Sequence, residues 1–326
     1  MIIASFIIVN AGLLASGGMD VIASGILSRI RDLRTLTLVS LVFTVIASMF
    51  ITNDASLIAL VPLTVSIGKL SGRSVTKLVI LQAIAANVGS MLTPFGNPQN
   101  IIIFRAYGLS VLTFLYGMLP IFMVSFAILL AFGYLLSGRT RLSPAKIRRK
   151  RSFSLFLSST ALFAIDVAGM LMGYGIYFFA ATAVLGVLSM ILFGLRGKSR
   201  LDGLKNIDLF LIFTFVLIFL VVNSARSMIG NVIVGGSIEV FGYSLVLSQF
   251  ISNVPTAVLF GAGGNWLPLA WGVDVGGNGT IIASLANIIA LRRLKGRKIV
   301  EFSKISFAFL GITAVIAVAF LLFLGY

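Results

Sequence analysis

From residue 2 to residue 325 the chain is a succession of apolar runs, many about long enough to cross a bilayer, separated by short clusters of Lys and Arg. That alternation constrains the fold more than any other feature. In hydrocarbon every backbone N–H and C=O must be satisfied internally, and runs of this length do so as helices. With 59% hydrophobic and 10% charged residues, an ordinary soluble domain is excluded. The expected class is all-α: a multi-pass, polytopic protein of the cell (inner) membrane. Residues 2–16 lead straight into further apolar segments without a cleavage site, so they read as membrane helix rather than signal peptide.

The net charge of +16 would suggest nucleic acid were it not for where the cations lie. They cluster at 29–34, 69–77, 139–151, 196–205 and 292–298, between apolar runs. This is the bias of short cytoplasmic loops, and such clusters also attract anionic lipid. No basic fold surrounds them, so the bilayer is an expected partner and nucleic acid is not. The chain has no Cys and no His. Disulfides and thiolate metal sites are thereby excluded, as is the commonest proton relay.

Used as position markers, the clusters give a threading. Arg34 and Lys69 both belong on the cytoplasmic side, with 34 residues between them. Two full crossings take about 20 residues each, leaving nothing for a turn. The polar Ile51-Thr52-Asn53-Asp54 lies mid-interval. A re-entrant hairpin over 35–68 solves this, turning near mid-membrane over 52–56. Backbone that leaves the helix at that depth is tolerated only inside protein or against a water-filled cavity. Residues 78–104 then cross outward as a broken helix, and 109–136 return to a basic cytoplasmic loop, 139–152. Segments 153–173, 174–195 and 207–222 cross in turn. A second hairpin, 240–262, enters from outside; a second broken helix, 266–291, crosses inward, and 304–325 crosses outward. The total is about eight crossings plus two hairpins. Of 25 Lys and Arg, only Arg105 and Arg226 fall on the outer side.

This threading contains an inverted repeat. Residues 1–138 hold a helix, a hairpin, a broken helix and a return helix. Residues 153–326 end with the same series upside down, preceded by two extra helices. Inverted repeats place a transporter's site at their interface near the midplane. The polar interruptions correspond too: Thr52, Asn53, Asp54, Ala55 and Ser56 align with Ser252, Asn253, Val254, Pro255 and Thr256. Downstream, GSMLTPFGNPQN aligns with GGNGTIIASLAN, matching Gly89 with Gly276, Thr93 with Thr280, Gly96 with Ala283, Asn97 with Ser284 and Asn100 with Asn287.

The residue types have a physical reason. Pro94, Pro98 and the GGNG stretch remove or loosen helical hydrogen bonds in mid-membrane. Freed carbonyls, with Asn and Ser/Thr oxygens, can coordinate a dehydrated cation such as sodium, and N–H groups at half-helix N-termini can hold an anion. The candidate ion and substrate residues are Thr52, Asn53, Asp54, Ser56, Thr93, Gly96, Asn97 and Asn100 in the first repeat. In the second they are Ser252, Asn253, Thr256, Asp274, Asn278, Thr280, Ser284 and Asn287. Sodium sites are expected at Asn53, Asp54 and Asn97, and at Asn253, Asn278 and Thr280. Taken singly, each Ser, Thr or Asn reads equally as interhelical glue; the paired, inverted constellation is what points to a site. Asp54 and Asp274 are the candidates for sodium ligation or proton coupling. Asp166, outside the frame, reads as either a proton carrier or a structural hydrogen bond.

At these motifs the chain resembles the ion transporter superfamily, which includes citrate and dicarboxylate/sodium symporters, arsenite permeases, NhaD-type sodium/proton antiporters and the melanosomal P protein. The superfamily's Ser-Asn-Thr hairpin tip is similar to Thr52-Asn53-Asp54 and Ser252-Asn253-Val254. Its broken-helix pattern is similar to GSMLTPFGNPQN and GGNGTIIASLAN, and the resemblance covers nearly the whole chain. It implies secondary active transport of a small anion or oxyanion by alternating access, with sodium or protons as coupling ion and no other cofactor. Asn53 and Asn253 would contact ions or substrate. There are two departures. The tip Thr, which holds a substrate carboxylate in dicarboxylate carriers, is replaced by Asp54 and Val254. The first repeat also lacks the two scaffold helices that 153–195 supply to the second, so it is either naturally short or truncated. Those helices belong to the family's scaffold and oligomer contact, so their absence from the first repeat bears against the homodimer that the resemblance implies.

The alternatives are sodium/proton antiport through Asp54 and Asp274 and, from another class, an ion channel, since broken helices also build pores. No Walker-type loop is present, so primary pumping by this chain is not expected. With no His, Cys or Lys base near the mid-membrane Ser, Thr and Asp, an enzyme is not expected either.

Overall fold

The computed structural model describes residues 1–27, 29–142, 152–194, 204–229, 235–261, 264–294 and 298–325, which are largely helical with no strand among them. The first helices are α1 (Ile2–Ala15), α2 (Gly18–Leu27), α3 (Leu33–Ile51), α4 (Asn53–Leu70), α5 (Thr76–Met91), α6 (Pro98–Ala106) and α7 (Val111–Leu136). Residues 143–151, most of the expected basic loop, lie outside the described part, as do 195–203 of the next basic cluster. Then follow α8 (Phe153–Leu171), α9 (Ile176–Phe193) and α10 (Leu209–Ile229). The chain finishes with α11 (Ser237–Ile251), α12 (Asn253–Phe260), α13 (Trp266–Gly276), α14 (Leu285–Arg292) and α15 (Ile299–Phe323). Five of these, α3, α7, α8, α9 and α15, are long and apolar enough to cross a membrane. The protein is all-α and polytopic.

It packs as two compact units. The first comprises Met1–Arg29 and Ala145–Leu217. Here α1 lies against α8 and α9, with Phe6 edge-on to Phe163 at 5.4 Å. The polar centre of this unit is the buried Asp166. Its carboxylate accepts from Ser5 Oγ of α1 at 2.7 Å and from Thr182 Oγ1 of α9 at 2.6 Å. One acid on α8 thus ties three helices together, the interhelical role open to a polar group among apolar helices.

The second unit comprises Ile30–Pro144 and Ile218–Tyr326. At its centre stand α5, buried over 78–91, and α13, buried over 267–276. A helix buried on every side is a core helix. Each packs on the first arm of a helical hairpin, α5 on α3 and α13 on α11. Glycine makes both approaches possible. A Cβ on Gly89 would stand 2.7 Å from Val45 Cα, and one on Gly276 would stand 3.1 Å from Leu245 Cα. Val45 and Leu245 each precede their hairpin tip by seven residues.

The hairpins reverse on a single residue. Thr52 has φ 69° and ψ 152°, and Ser252 has φ 74° and ψ 155°. Among the described residues these are the only non-glycine positions with positive φ. Their region of backbone space is essentially reserved for glycine and costs a side chain about 1–3 kcal/mol.

The expected turn over 52–56 is therefore compressed to Thr52. Ser56 N already donates to Thr52 O at 3.1 Å, so Asn53 to Ser56 form the first helical turn of α4. A one-residue reversal needs no loop, which removes the premise that 34 residues cannot hold two long arms. With 19 and 18 residues, α3 and α4 run for about 28 and 27 Å. The arms α11 and α12, of 15 and 8 residues, run for about 22 and 12 Å. Arm length does not fix the depth of the first tip. Its contacts, with the interruption in the adjacent core helix, position it.

Candidate functional site

The first core helix stops at Met91 and resumes as α6 at Pro98. Neither Pro94 nor Pro98 has an N–H to give, so carbonyls upstream lose their helical donors. Asn100 replaces them: its Nδ2 donates to the oxygens of Ser90, Met91 and Thr93, each at 3.2 Å. Asn97 caps α6, its Oδ1 accepting from Asn100 N at 2.8 Å. The tip is locked onto this break from the other side. Thr93 Oγ1 donates to Met49 O at 2.8 Å, and Asn53 N donates to Gly96 O at 3.1 Å.

The second break, between α13 and α14 with one 3-10 turn at Ile281–Ala283, is built in the same register. Asn287 Nδ2 donates to Gly277 O at 3.0 Å and Thr280 O at 2.9 Å. These carbonyls lie ten and seven residues upstream, as Ser90 and Thr93 do from Asn100. Thr280 Oγ1 donates to Gln249 O at 2.9 Å, and Gln249, like Met49, precedes its tip by three residues. Ser252 Oγ donates to Ala283 O at 3.3 Å, where the first tip uses Asn53 N on Gly96 O. Gln249 has no counterpart at Met49. Its Nε2 donates to Gly276 O at 2.7 Å and its Oε1 accepts from Thr280 N at 2.9 Å.

The two breaks are joined by an exchange of side chains. Asn87 and Asp274 occupy matching positions, two residues before Gly89 and Gly276, and each reaches into the other helix's break. Asp274 Oδ1 accepts from Asn97 Nδ2 at 3.1 Å and Gln99 Nε2 at 3.0 Å, with Asn100 alongside. Asn87 Nδ2 donates to Gly277 O at 3.1 Å, Asn287 Oδ1 at 3.2 Å and Asn278 Oδ1 at 3.3 Å. Its Oδ1 accepts from Ser284 Oγ at 3.0 Å and, at 3.5 Å, from Asn53 Nδ2. Asn97 and Ser284, matched in the sequence, thus make matched bonds.

The exchange is chemically asymmetric. At the first break the crossing side chain is an acid, 2% exposed, whose Oδ2 is buried with no hydrogen-bond partner among the described residues, as is Asn100 Oδ1. Buried oxygens left unpaired cost about 1–3 kcal/mol each, more when charged, so this pair is suited to a cation or proton. At the second break the crossing side chain is a neutral amide. Ser284 spends its hydroxyl on Asn87 and makes no side-chain cap on α14, where Asn97 caps α6; Ser252 makes none on α12, as Thr52 makes none on α4. Two helix N-termini there keep their partial positive charge.

The structure gathers Asn53, Gly96, Asn97, Asn100 and Asp274 around the first break. It gathers Asn278, Ser284 and Asn287 around the second, with Asn253 Nδ2 against Gly277. Thr93 and Thr280 turn their hydroxyls to hairpin carbonyls instead. Within the hairpins, Ser56 Oγ lies 2.6 Å from Ser48 Oγ and donates to Asn53 O at 2.7 Å, while Thr256 Oγ1 donates to Ser252 O at 2.8 Å. Thr52 carries the reversal, and Asp54, half-buried in the first turn of α4, donates its N–H to Asn53 Oδ1 at 2.9 Å. Sequence reasoning missed Asn87, Ser90, Gln99 and Gln249. Extending the aligned frame two residues upstream pairs Asn87 with Asp274 and would have found the first of them.

Comparison with known proteins places the chain among membrane transporters. The family described as citrate transporter (CitMHS) matches residues 1–273, a stretch holding both tips and the first break. An uncharacterized transporter of Methanocaldococcus jannaschii, MJ0456, is 34% identical over 266 residues, covering 79% of this chain and 71% of that protein. The inner membrane protein YbiR of Escherichia coli is 30% identical over 314 residues, covering 91% and 80%. The silicon efflux transporter LSI3 of Oryza sativa subsp. japonica is 34% identical over 79 residues, 24% of this chain and 16% of that protein. This multi-pass inner membrane protein belongs to the citrate transporter family, within the ion transporter superfamily.

Proposed function

We propose that the chain is a secondary active transporter moving a small anion or oxyanion by alternating access, with its coupling cation, sodium or a proton, taken at Asp274. The observation that carries this reading is the asymmetric exchange between the breaks. Asp274 supplies the only acid of the pair, with one oxygen held by Asn97 and Gln99 and the other left for a cation. The second break has no acid in that position and leaves α14 without the side-chain cap that Asn97 gives α6, a setting that favours a negative substrate. Matched tips and matched breaks support reading the two halves as inverted repeats, each with a re-entrant hairpin, facing each other across the site.

The substrate class is carboxylate or arsenite-like oxyanion. The family's description names citrate, and LSI3 is named for silicon efflux. Asp54 and Val254 stand where the dicarboxylate carriers of the superfamily hold a substrate carboxylate with Thr, which favours a small oxyacid over a large polycarboxylate. A homodimer goes with the family reading. The second reading, sodium/proton antiport, is favoured by the same buried carboxylate of Asp274, which could exchange the two cations without an anion.

Proteoliposomes separate the two. An imposed sodium or proton gradient should drive saturable uptake of a labelled small oxyanion or carboxylate, and Asp274→Asn should abolish the gradient dependence. Sodium-driven proton movement that needs no anion would support antiport instead, and currents beyond carrier turnover would support a channel.

A further inference from the structure

Away from the breaks, a second site lies between α3 and α7. The segment before α3 and the segment after α7 are joined by a backbone bridge between Asp32 and Arg141. Leu33 N donates to Thr140 O at 2.9 Å, and Leu142 N donates to Arg31 O at 2.8 Å. The bridge sets Arg31, Arg139 and Arg141, all exposed, around a cavity of about 610 Å³ that also touches Asp32 and Thr35. Asp32 turns its carboxylate to Thr35, accepting from its N at 2.9 Å and its Oγ1 at 3.0 Å as the cap of α3. The mouth therefore holds three guanidiniums against one occupied carboxylate.

A separate groove of about 550 Å³ lies along the same two helices, lined among the described residues by Leu38 and Val42 of α3 and Leu130, Ala131, Tyr134 and Leu135 of α7. Thr35 of the basic mouth shares one face of α3 with Leu38 and Val42 of the groove, so the two are in line over roughly 10 Å of the helix. Arg34 stands at the junction, its guanidinium 4.2 Å from the Tyr134 ring centroid and bonded to Ser137 O at 3.0 and 3.1 Å.

We infer that this is a binding site for an anionic phospholipid, with the phosphate among Arg31, Arg139 and Arg141 and an acyl chain in the groove. A basic mouth alone would suit any phosphate. The apolar extension selects a ligand that carries its phosphate on a hydrocarbon chain. The mouth belongs to clusters assigned to the cytoplasmic side, where anionic lipid attracts Lys and Arg. Because α3 continues from this groove to the tip at Thr52, a lipid bound there anchors the first arm of the hairpin.

The test is native mass spectrometry and thermal unfolding of the detergent-purified full chain with phosphatidylglycerol, phosphatidylcholine or inorganic phosphate added. Two variants accompany it: the triple change R31Q/R139Q/R141Q, at exposed positions, and Ala131→Trp, which fills the groove and keeps every charge. Phosphatidylglycerol should be retained and should raise the unfolding midpoint, while phosphatidylcholine and free phosphate should not. The triple variant should bind it on the order of a hundredfold more weakly, and Ala131→Trp should also lose retention while keeping its lipid-free midpoint. Equal retention of phosphatidylcholine, an equal effect of free phosphate, or undiminished phosphatidylglycerol binding in both variants would overturn the assignment.

Discussion

Asn87→Ala tests the exchange between the breaks. Truncation removes the donor to Asn278 Oδ1 and Asn287 Oδ1 and the acceptor of Ser284 Oγ and Asn53 Nδ2, while Gly277 O keeps its bond from Asn287. Four buried polar groups lose partners, the three closer ones at about 1–3 kcal/mol each and Asn53 Nδ2 at the weak end, and a water entering the space left by the carboxamide recovers part of this, giving a net loss of about 3–5 kcal/mol. Asn87→Asp should be no milder at neutral pH, because it turns a carboxylate oxygen toward the oxygens of Gly277, Asn278 and Asn287. The chain offers its own reporter. Both tryptophans, Trp266 and Trp271, lie on α13, and Trp271 Nε1 donates to Gly117 O at 3.0 Å. Intrinsic fluorescence during thermal unfolding in detergent therefore follows the core helix beside the exchange, and the midpoint should fall by on the order of 5–10 °C. If both variants unfold within about 0.5 kcal/mol of the parent, the range of ordinary surface substitutions, the exchange is not holding the breaks together.

Three further outcomes are expected. Thr52→Gly should stabilise the chain by about 1 kcal/mol in the same unfolding assay, because glycine adopts this backbone without strain. Gly89→Ala should cost about 1–3 kcal/mol, and more than Gly276→Ala, because its Cβ would meet Val45 Cα at 2.7 Å against 3.1 Å for Leu245 Cα. Asp166→Asn can still accept from one hydroxyl and donate to the other, so it should unfold within about 1 kcal/mol of the parent and transport with unchanged ion dependence. Loss of coupling in that variant would make Asp166 a proton carrier instead.

Much of this arrangement is legible in the sequence because membrane helices leave polar residues few places to go. Both tips, both breaks and the correspondence of Thr93 with Thr280 and Asn100 with Asn287 were read from polar interruptions alone. What was not legible falls into two kinds. Asn87 sits inside an otherwise helical run, where a lone Asn reads as packing glue, and only its register with Asp274 distinguishes it. The turn at Thr52 is shorter than the sequence suggests, because positive φ at a threonine is unfavourable and is not expected from composition. Gln249 and Gln99 act through long side chains reaching neighbouring helices, and helical period gives no sign of a partner 175 residues away, as for Gln99 and Asp274. The hydroxyls of Thr93 and Thr280 fit both a ligand and a staple on paper. Which carbonyl lies within 3 Å decides where they point.

The most direct test of coupling at Asp274 is the unfolding midpoint of the purified chain during a sodium titration at constant ionic strength, repeated at acidic and alkaline pH, for the parent and Asp274→Asn. A cation site at the first break predicts saturable stabilisation by sodium, or by protons in its place, that Asp274→Asn removes. A midpoint indifferent to both ions, or a response that survives Asp274→Asn unchanged, would contradict it.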